Sequence, residues 1–403
     1  MEADLLVHDI DRLYPMTPGI SQPFPEITGA AVAFTGDSVS YVGPTQGAPP
    51  AKDHLSGEGL VGLPGLIDCH THAVWAGSRA DEFARRLAGE DYTAILEAGG
   101  GIRSTVRATR AAASDELVQR ARQRLVGMRH RGVTTVEIKS GYGLDPQTER
   151  RILLAARQCN DIVRVVPTFL GAHTIPDAFR TDRAGYVRQI IDEQLPLCAP
   201  LADNIDVYCD SGAFTLEEAE RILAAGAAHG LKIRAHAEQV AYTGIAARAA
   251  EMGATSVDHL ERLDEADVEA LAAHGTVAVM LPGAQLYLRD TTPPVEALRA
   301  AGVPMAVATD LNPGTSPIHD LWTAATLACV LQRLTIEEAL LGITRHAGMA
   351  LGRPELGWLG PGSAADLALF APPPGEPATA ASLIQQMGWN AAHIIIQNGQ
   401  RTL

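Results

Sequence analysis

Eight apolar stretches of strand length recur through the middle of this chain. They cover residues 66–72, 132–139, 162–169, 205–209, 231–236, 256–259, 277–281 and 305–310. Most are followed by Ala-, Leu-, Glu- and Arg-rich helical patterns, at 147–158, 216–229, 242–252, 264–274 and 318–331. Parallel strands need a crossover between them, and helices supply it. Eight strand–helix units therefore predict an α/β fold, a closed (β/α)8 TIM-type barrel. A doubly wound open sheet is the alternative. No Gly-rich phosphate loop follows any strand, and Gly99-Gly100-Gly101 lies between helical patterns, where it reads as a loop or helix stop.

The two ends read differently. Residues 30–34 and 39–43 are strand-like around the turn Thr35-Gly36-Asp37-Ser38. Residues 365–370 and 393–396 are strand-like too, the latter leading into Asn398-Gly399. This predicts a small β-sandwich domain built from both termini, 1–58 plus 355–403, beside a barrel over 59–354.

Composition excludes several classes. The net charge is −15 and the pI is about 5.3, with no basic block, so neither nucleic acid nor an anionic membrane is an expected partner. No apolar run reaches membrane-span length. The five cysteines are scattered and form no C-x-x-C pair, as in reduced thiols. The acidic start, Met1-Glu2-Ala3-Asp4, lacks a signal-peptide pattern. A cytoplasmic location is expected.

Active sites in such barrels lie at the carboxyl-terminal strand ends. Here those ends carry His70 and His72, Glu137 and Lys139, His173, Asp210, His236 and Glu238, Asp258 and His259, and Asp310. Only the seventh, ending at Pro282, has nothing reactive. In a strand, residues i and i+2 share a face, so His70 and His72 point the same way. Each residue also has a plainer reading: His236 as a core histidine, His259 as a helix cap, His173 as an exposed loop residue. Asp310 as an N-cap is a poor reading, because Pro313, Gly314 and Pro317 stand between it and the next helical pattern. His130, His229 and His274 sit at helix ends and receive no role. The pattern points to His70, His72, His236 and Asp310 around one divalent metal, Zn or Fe. Such an ion brings the pKa of bound water down toward ~7. Glu238, His259 and Asp310 are the candidates for the proton-handling catalytic group. The fourth strand has no lysine to bridge a second ion, and Lys139 lies on the second strand.

His-x-His on the first strand, His236, His259 and Asp310 together resemble the amidohydrolase superfamily over nearly the whole chain. Arg79, Asp81-Glu82-Phe83, Gly99-Gly100-Gly101-Ile102, residues 137–144 and residues 310–315 are similar to a narrower branch that opens cyclic amides. That resemblance implies substrate contacts from Arg79, Tyr142, His173, Gln239, Asn312, Gly314 and Thr315. The implied substrate is a small cyclic amide with a carboxylate tail, for which Arg79 offers a planar fork. Tyr142 lies in a Gly-flanked turn read as flexible enough to close over the ligand. Some relatives carry an acid three positions after the fifth-strand histidine; here Gln239 stands there. Deamination of a purine or pyrimidine ring is the alternative activity, and a homodimer is a possible assembly.

Overall fold

The computed structural model describes residues 2–19, 25–90 and 99–403. The chain opens with Ala3–Leu13 (β1), Ile27–Thr35 (β2), Ser38–Pro44 (β3), Ala51–Ser56 (β4) and Val61–Pro64 (β5). It then builds a barrel from Leu66–Asp68 (β6), Val133–Lys139 (β7), Arg164–Ala172 (β8), Asn204–Cys209 (β9), Lys232–Ala237 (β10), Ser256–His259 (β11), Val277–Met280 (β12) and Met305–Val307 (β13). It returns as Leu367–Phe370 (β14), Ala392–Gln397 (β15) and Gln400–Arg401 (β16).

The smaller sheet runs β16-β15-β14-β5-β1-β2-β3, with β4 also paired to β1. An extra residue in β1 between Val7 and Ile10 breaks its register with β2. Before this bulge the other edge of β1 pairs with β4; beyond it, with β5. Val7, Ile10, Phe34, Leu367, Leu369 and Ile396 close on one apolar core from both termini. The expected division at residue 58 falls short. Val61–Pro64 pairs with β1 and β14 inside this sheet, so the first terminal segment extends to Pro64.

The barrel strands follow one another in parallel from β6 to β13. β7 is buried along its whole length, as expected of a strand covered on both faces. Helices pack outside, and their caps set their limits. Asp145 accepts the Thr148 N–H and Pro146 takes the first turn, so Pro146–Arg157 begins where the sequence pattern suggested. Asp320 caps Leu321–Gln332 by accepting the Trp322 N–H, which starts that helix later than expected. Trp322 packs edge-on against Phe370 at 5.0 Å between ring centroids, tying the barrel to the smaller sheet. No helix among the described residues is long and apolar enough to cross a membrane.

Candidate active site

The barrel closes where its first and last strands meet, and the site sits on that seam. Thr71 and Leu311 form a parallel bridge. The Asp310 N–H donates to the His70 carbonyl at 3.0 Å, and the His72 N–H to the Leu311 carbonyl at 2.9 Å. Asp68 accepts the Thr309 N–H at 3.1 Å and the Thr309 hydroxyl at 2.6 Å, completing the join. Closure thus places His70 and His72 beside Asp310. Asp310 Oδ1 lies 3.5 Å from His70 Nε2 and 3.6 Å from His72 Nε2. His236 arrives from β10, its ring centroid 4.6 Å from that of His70. One ligand atom from each of His70, His72 and His236 lies within 4.8 Å of the others. His259 stands 5.4 Å from His236, ring to ring.

Beneath the imidazoles lies a layer of charge, all of it fully buried. His70 Nδ1 donates to Asp258 at 2.6 Å, and His236 Nδ1 donates to Asp206 at 3.0 Å. Each bond fixes a tautomer and leaves Nε2 free to face the cavity. Lys139 Nζ donates to Asp206 at 2.6 Å and Glu137 at 3.0 Å; Arg234 donates to Asp258 at 2.8 Å. Burial and Arg234 disfavour the Lys139 ammonium, but Asp206, Glu137 and Asp258 outweigh them and raise its pKa. A lysine so held is not a free amine able to become a bridging carbamate.

This layer fits a cation above it. Glu137, Asp206 and Asp258 face Lys139 and Arg234, leaving one negative charge in excess, and Asp310 adds a second when it is ionised. His70 Nε2 is buried and has no hydrogen-bond partner among the described residues, which suits a lone pair aimed at a metal. Burial, and then Lys139 and the neighbouring imidazoles, hold His70 and His72 well below the ordinary imidazole range, so both are neutral. Burial pushes the Asp310 carboxyl up to about 7, a cost that a bound cation would remove. His259 differs. Burial opposes its charge, but Glu261 at 3.9 Å, with Asp310 and Asp258, raises its pKa.

A cavity of about 440 Å³ opens over this floor. His72, His236, His259 and Asp310 line it, as do Arg79, Tyr142, His173, Gln239, Asn312, Gly314 and Thr315. Each wall residue is held from behind. Glu82 accepts from Arg79 Nε at 2.6 Å and from Arg79 Nη2, and takes the Gly101 N–H at 2.9 Å. Asp210 accepts the N–H groups of Gln239, Val240 and Ala241 at 2.8–3.0 Å. The Asn312 side-chain oxygen accepts the Gly314 and Thr315 N–H groups at 2.9 and 2.7 Å.

Three expectations change. Glu238 does not face the cavity. Its carboxylate accepts the N–H of Thr243 at 2.5 Å and of Ala246 at 3.1 Å, at the start of Ile245–Glu251. The cause is backbone conformation: Glu238 has φ +55°, which breaks the strand alternation that would have aligned it with His236. The turn around Tyr142 is not a loose flap, because Glu149 accepts three of its N–H groups and Tyr142 itself is buried. Nor is the whole Arg79 fork open; Glu82 occupies its Nε–Nη2 edge. His130, His229 and His274 are not among the residues that line this cavity.

Sequence reading did not assemble the charged layer or give a site role to Tyr208 and Arg86, which also line the cavity. A signal for the layer was present. Glu137 and Lys139 stand two apart, as do Arg234 and His236, and Ser256 and Asp258, each pair with an apolar residue between its members. Such spacing marks the barrel interior.

An eight-stranded parallel barrel with three imidazoles and a carboxylate at its mouth is the architecture of a metal-dependent hydrolase. Residues 79–382 match the amidohydrolase family, and the chain belongs to that family. An imidazolonepropionase of Shewanella baltica (strain OS185) is 47% identical over 400 residues, covering 96% of this chain and 97% of the relative. One from Shewanella sp. (strain ANA-3) is 48% identical over 396 residues, covering 96% of each. Among amidohydrolases the chain falls with the imidazolonepropionases. The fold is shared more widely. A zinc-bound adenosine deaminase from Xanthomonas campestris superposes with a TM-score of 0.74 at 19% identity, covering 100% of this chain and 93% of that one. Atrazine chlorohydrolase from Arthrobacter aurescens TC1, complexed with zinc, gives 0.72 at 18%, covering 99% and 95%.

Proposed function

We propose that this chain hydrolyses the ring amide C–N bond of 4-imidazolone-5-propanoate to N-formimidoyl-L-glutamate, a step of histidine degradation. The observation that carries the reading is one cavity lined both by a histidine cluster able to hold a metal and by Arg79, a cation able to hold a carboxylate. His70, His72, His236 and Asp310 hold one divalent ion, zinc or iron. When bound, that ion supplies an acidified water as nucleophile and Lewis acidity toward a carbonyl oxygen.

The chain's own residues do the rest. Glu82 occupies one edge of Arg79 and leaves the Nη1–Nη2 edge for the propionate tail. Gly314 lets the guanidinium approach the Asn312–Thr315 turn: a Cβ there would lie 2.9 Å from Arg79 Nη1. Tyr142, His173 and Gln239 orient the ring between that clamp and the floor. His259, whose pKa is raised by Glu261 against the effect of burial, donates to the oxyanion that forms at the ring carbonyl. Asp310 and His259 are the groups placed to hold the proton that must reach the departing ring nitrogen.

The direct test is to give the purified, metal-replete protein imidazolone propionate and, separately, a panel of nucleobases, with metal analysis of the same sample. Ring loss with imidazolone propionate, no ammonia from the nucleobases and about one zinc or iron per chain are expected. Ammonia from a nucleobase without imidazolone turnover would defeat the reading.

A further inference from the structure

Tyr142 and His173 reach the cavity from different elements, one after β7 and the other after β8. Their rings lie 5.5 Å apart, and His173 stacks on His72 at 5.0 Å with 15° between planes. A single carboxylate underlies both. Glu149, in the first turn of Pro146–Arg157, is fully buried. Its oxygens accept the N–H groups of Gly141, Gly143 and Leu144, each at 2.7 Å. Those donors bracket Tyr142. The Gly141 carbonyl then accepts from His173 Nδ1 at 3.0 Å. The same small segment therefore sets one ring covalently and the other through a hydrogen bond.

The glycines make this possible. A Cβ on Gly143 would lie 2.6 Å from the Glu149 nitrogen and 2.9 Å from its Oε1. A Cβ on Gly141 would lie 2.8 Å from His173 Nδ1, and Gly141 also has φ +104°. No ion pair to Glu149 occurs among the described residues, so its charge is met by backbone N–H groups, the Ser140 side chain and its place in a helix's first turn. A buried carboxylate without a counter-cation is costly, and an ordinary turn does not need one.

We infer that Glu149 is a positioning residue, one carboxylate that orders Tyr142 and His173 together against the ring of the substrate. This rests on the proposed function for the roles of the two rings, but not for their geometry.

The test uses the metal-loaded enzyme with Glu149→Gln, which turns one acceptor oxygen into a donor facing backbone N–H groups. kcat/KM for imidazolone propionate is expected to fall about thirtyfold with metal content unchanged. The side-chain nitrogen resonances of His173 in the substrate-free holoenzyme should shift as its bond to Gly141 loosens. Should that variant not fold, Gly143→Ala crowds the same cradle from the other side and is expected to give both changes. An unmoved His173 signal in a folded variant overturns the inference, whatever the kinetics, and so does kcat/KM at the wild-type value. A wild-type enzyme that never turns over imidazolone propionate, with the His173 signal still shifted in the variant, would instead sink the proposed function and leave the positioning role standing.

Discussion

The floor and the wall of the cavity are held in place by different physics. On the floor, side chain meets side chain. Asp258 orients His70, Asp206 orients His236, and Lys139 and Arg234 tie the carboxylates together. On the wall, carboxylates collect backbone N–H groups, as Glu149 does around Tyr142 and Asp210 does around Gln239. The first arrangement fixes ring tautomers and charge, which a metal needs. The second fixes the path of a loop, which a substrate's shape needs. Floor substitutions should therefore act on metal content and turnover, and wall substitutions on the use of substrate while the metal stays.

The largest effect belongs to the floor. His236→Ala is expected to lose both metal and turnover while circular dichroism shows the barrel intact; full metal occupancy in that variant would remove His236 from the ligand set. On the wall, Arg79→Ala should lower kcat/KM by about 2–4 kcal/mol with the metal retained. Arg79→Ala also leaves Glu82 buried without its guanidinium partner, so the Arg79→Ala/Glu82→Gln double variant should recover some stability and no substrate binding. Unchanged kinetics in Arg79→Ala would mean the tail carboxylate is held elsewhere. Returning to the floor, Asp258→Asn replaces the charged acceptor for His70 Nδ1–H with a neutral amide and should weaken metal affinity by roughly 10–100-fold in a chelator competition. An affinity equal to wild type would show that the His70–Asp258 bond does not orient the ligand. The smallest effect is expected at Glu238, which touches neither region. Glu238→Gln should leave kcat/KM unchanged and cost about 1 kcal/mol of stability through its hold on the helix start. A collapse of kcat with normal stability would restore it as a proton carrier.

The floor was legible in part from single strands. His70 and His72 lie two apart on an apolar strand, and His236, His259 and Asp310 each stand at a strand end. Glu238 was misplaced by the same logic. The i, i+2 rule holds only while the backbone stays extended, and φ +55° at Glu238 turns its side chain toward the following helix. Asp310 and His259 also have positive φ, at 51° and 87°, yet their side chains stay in the cavity, so the outcome at such a residue depends on its neighbours. The wall was less legible. Nothing local to Tyr142 says that its turn is rigid, because the rigidity comes from Glu149 in the next helix. The boundary of the smaller domain was misjudged for a similar reason: Val61–Pro64 finds its partner in β14, near the far end of the chain.

Periodicity and strand-end chemistry, both carried by neighbouring residues, were enough to determine the barrel, its two-ended companion sheet and the identities of the imidazoles. What only the folded molecule decided was which charges neutralise one another. Glu137 and Lys139 share a strand, but Asp206, Arg234 and Asp258 come from three others, and the five form one network only when those strands lie side by side in the barrel. Electrostatic pairing in a buried interior depends on distance through space and on the exclusion of water, and order along the chain encodes neither.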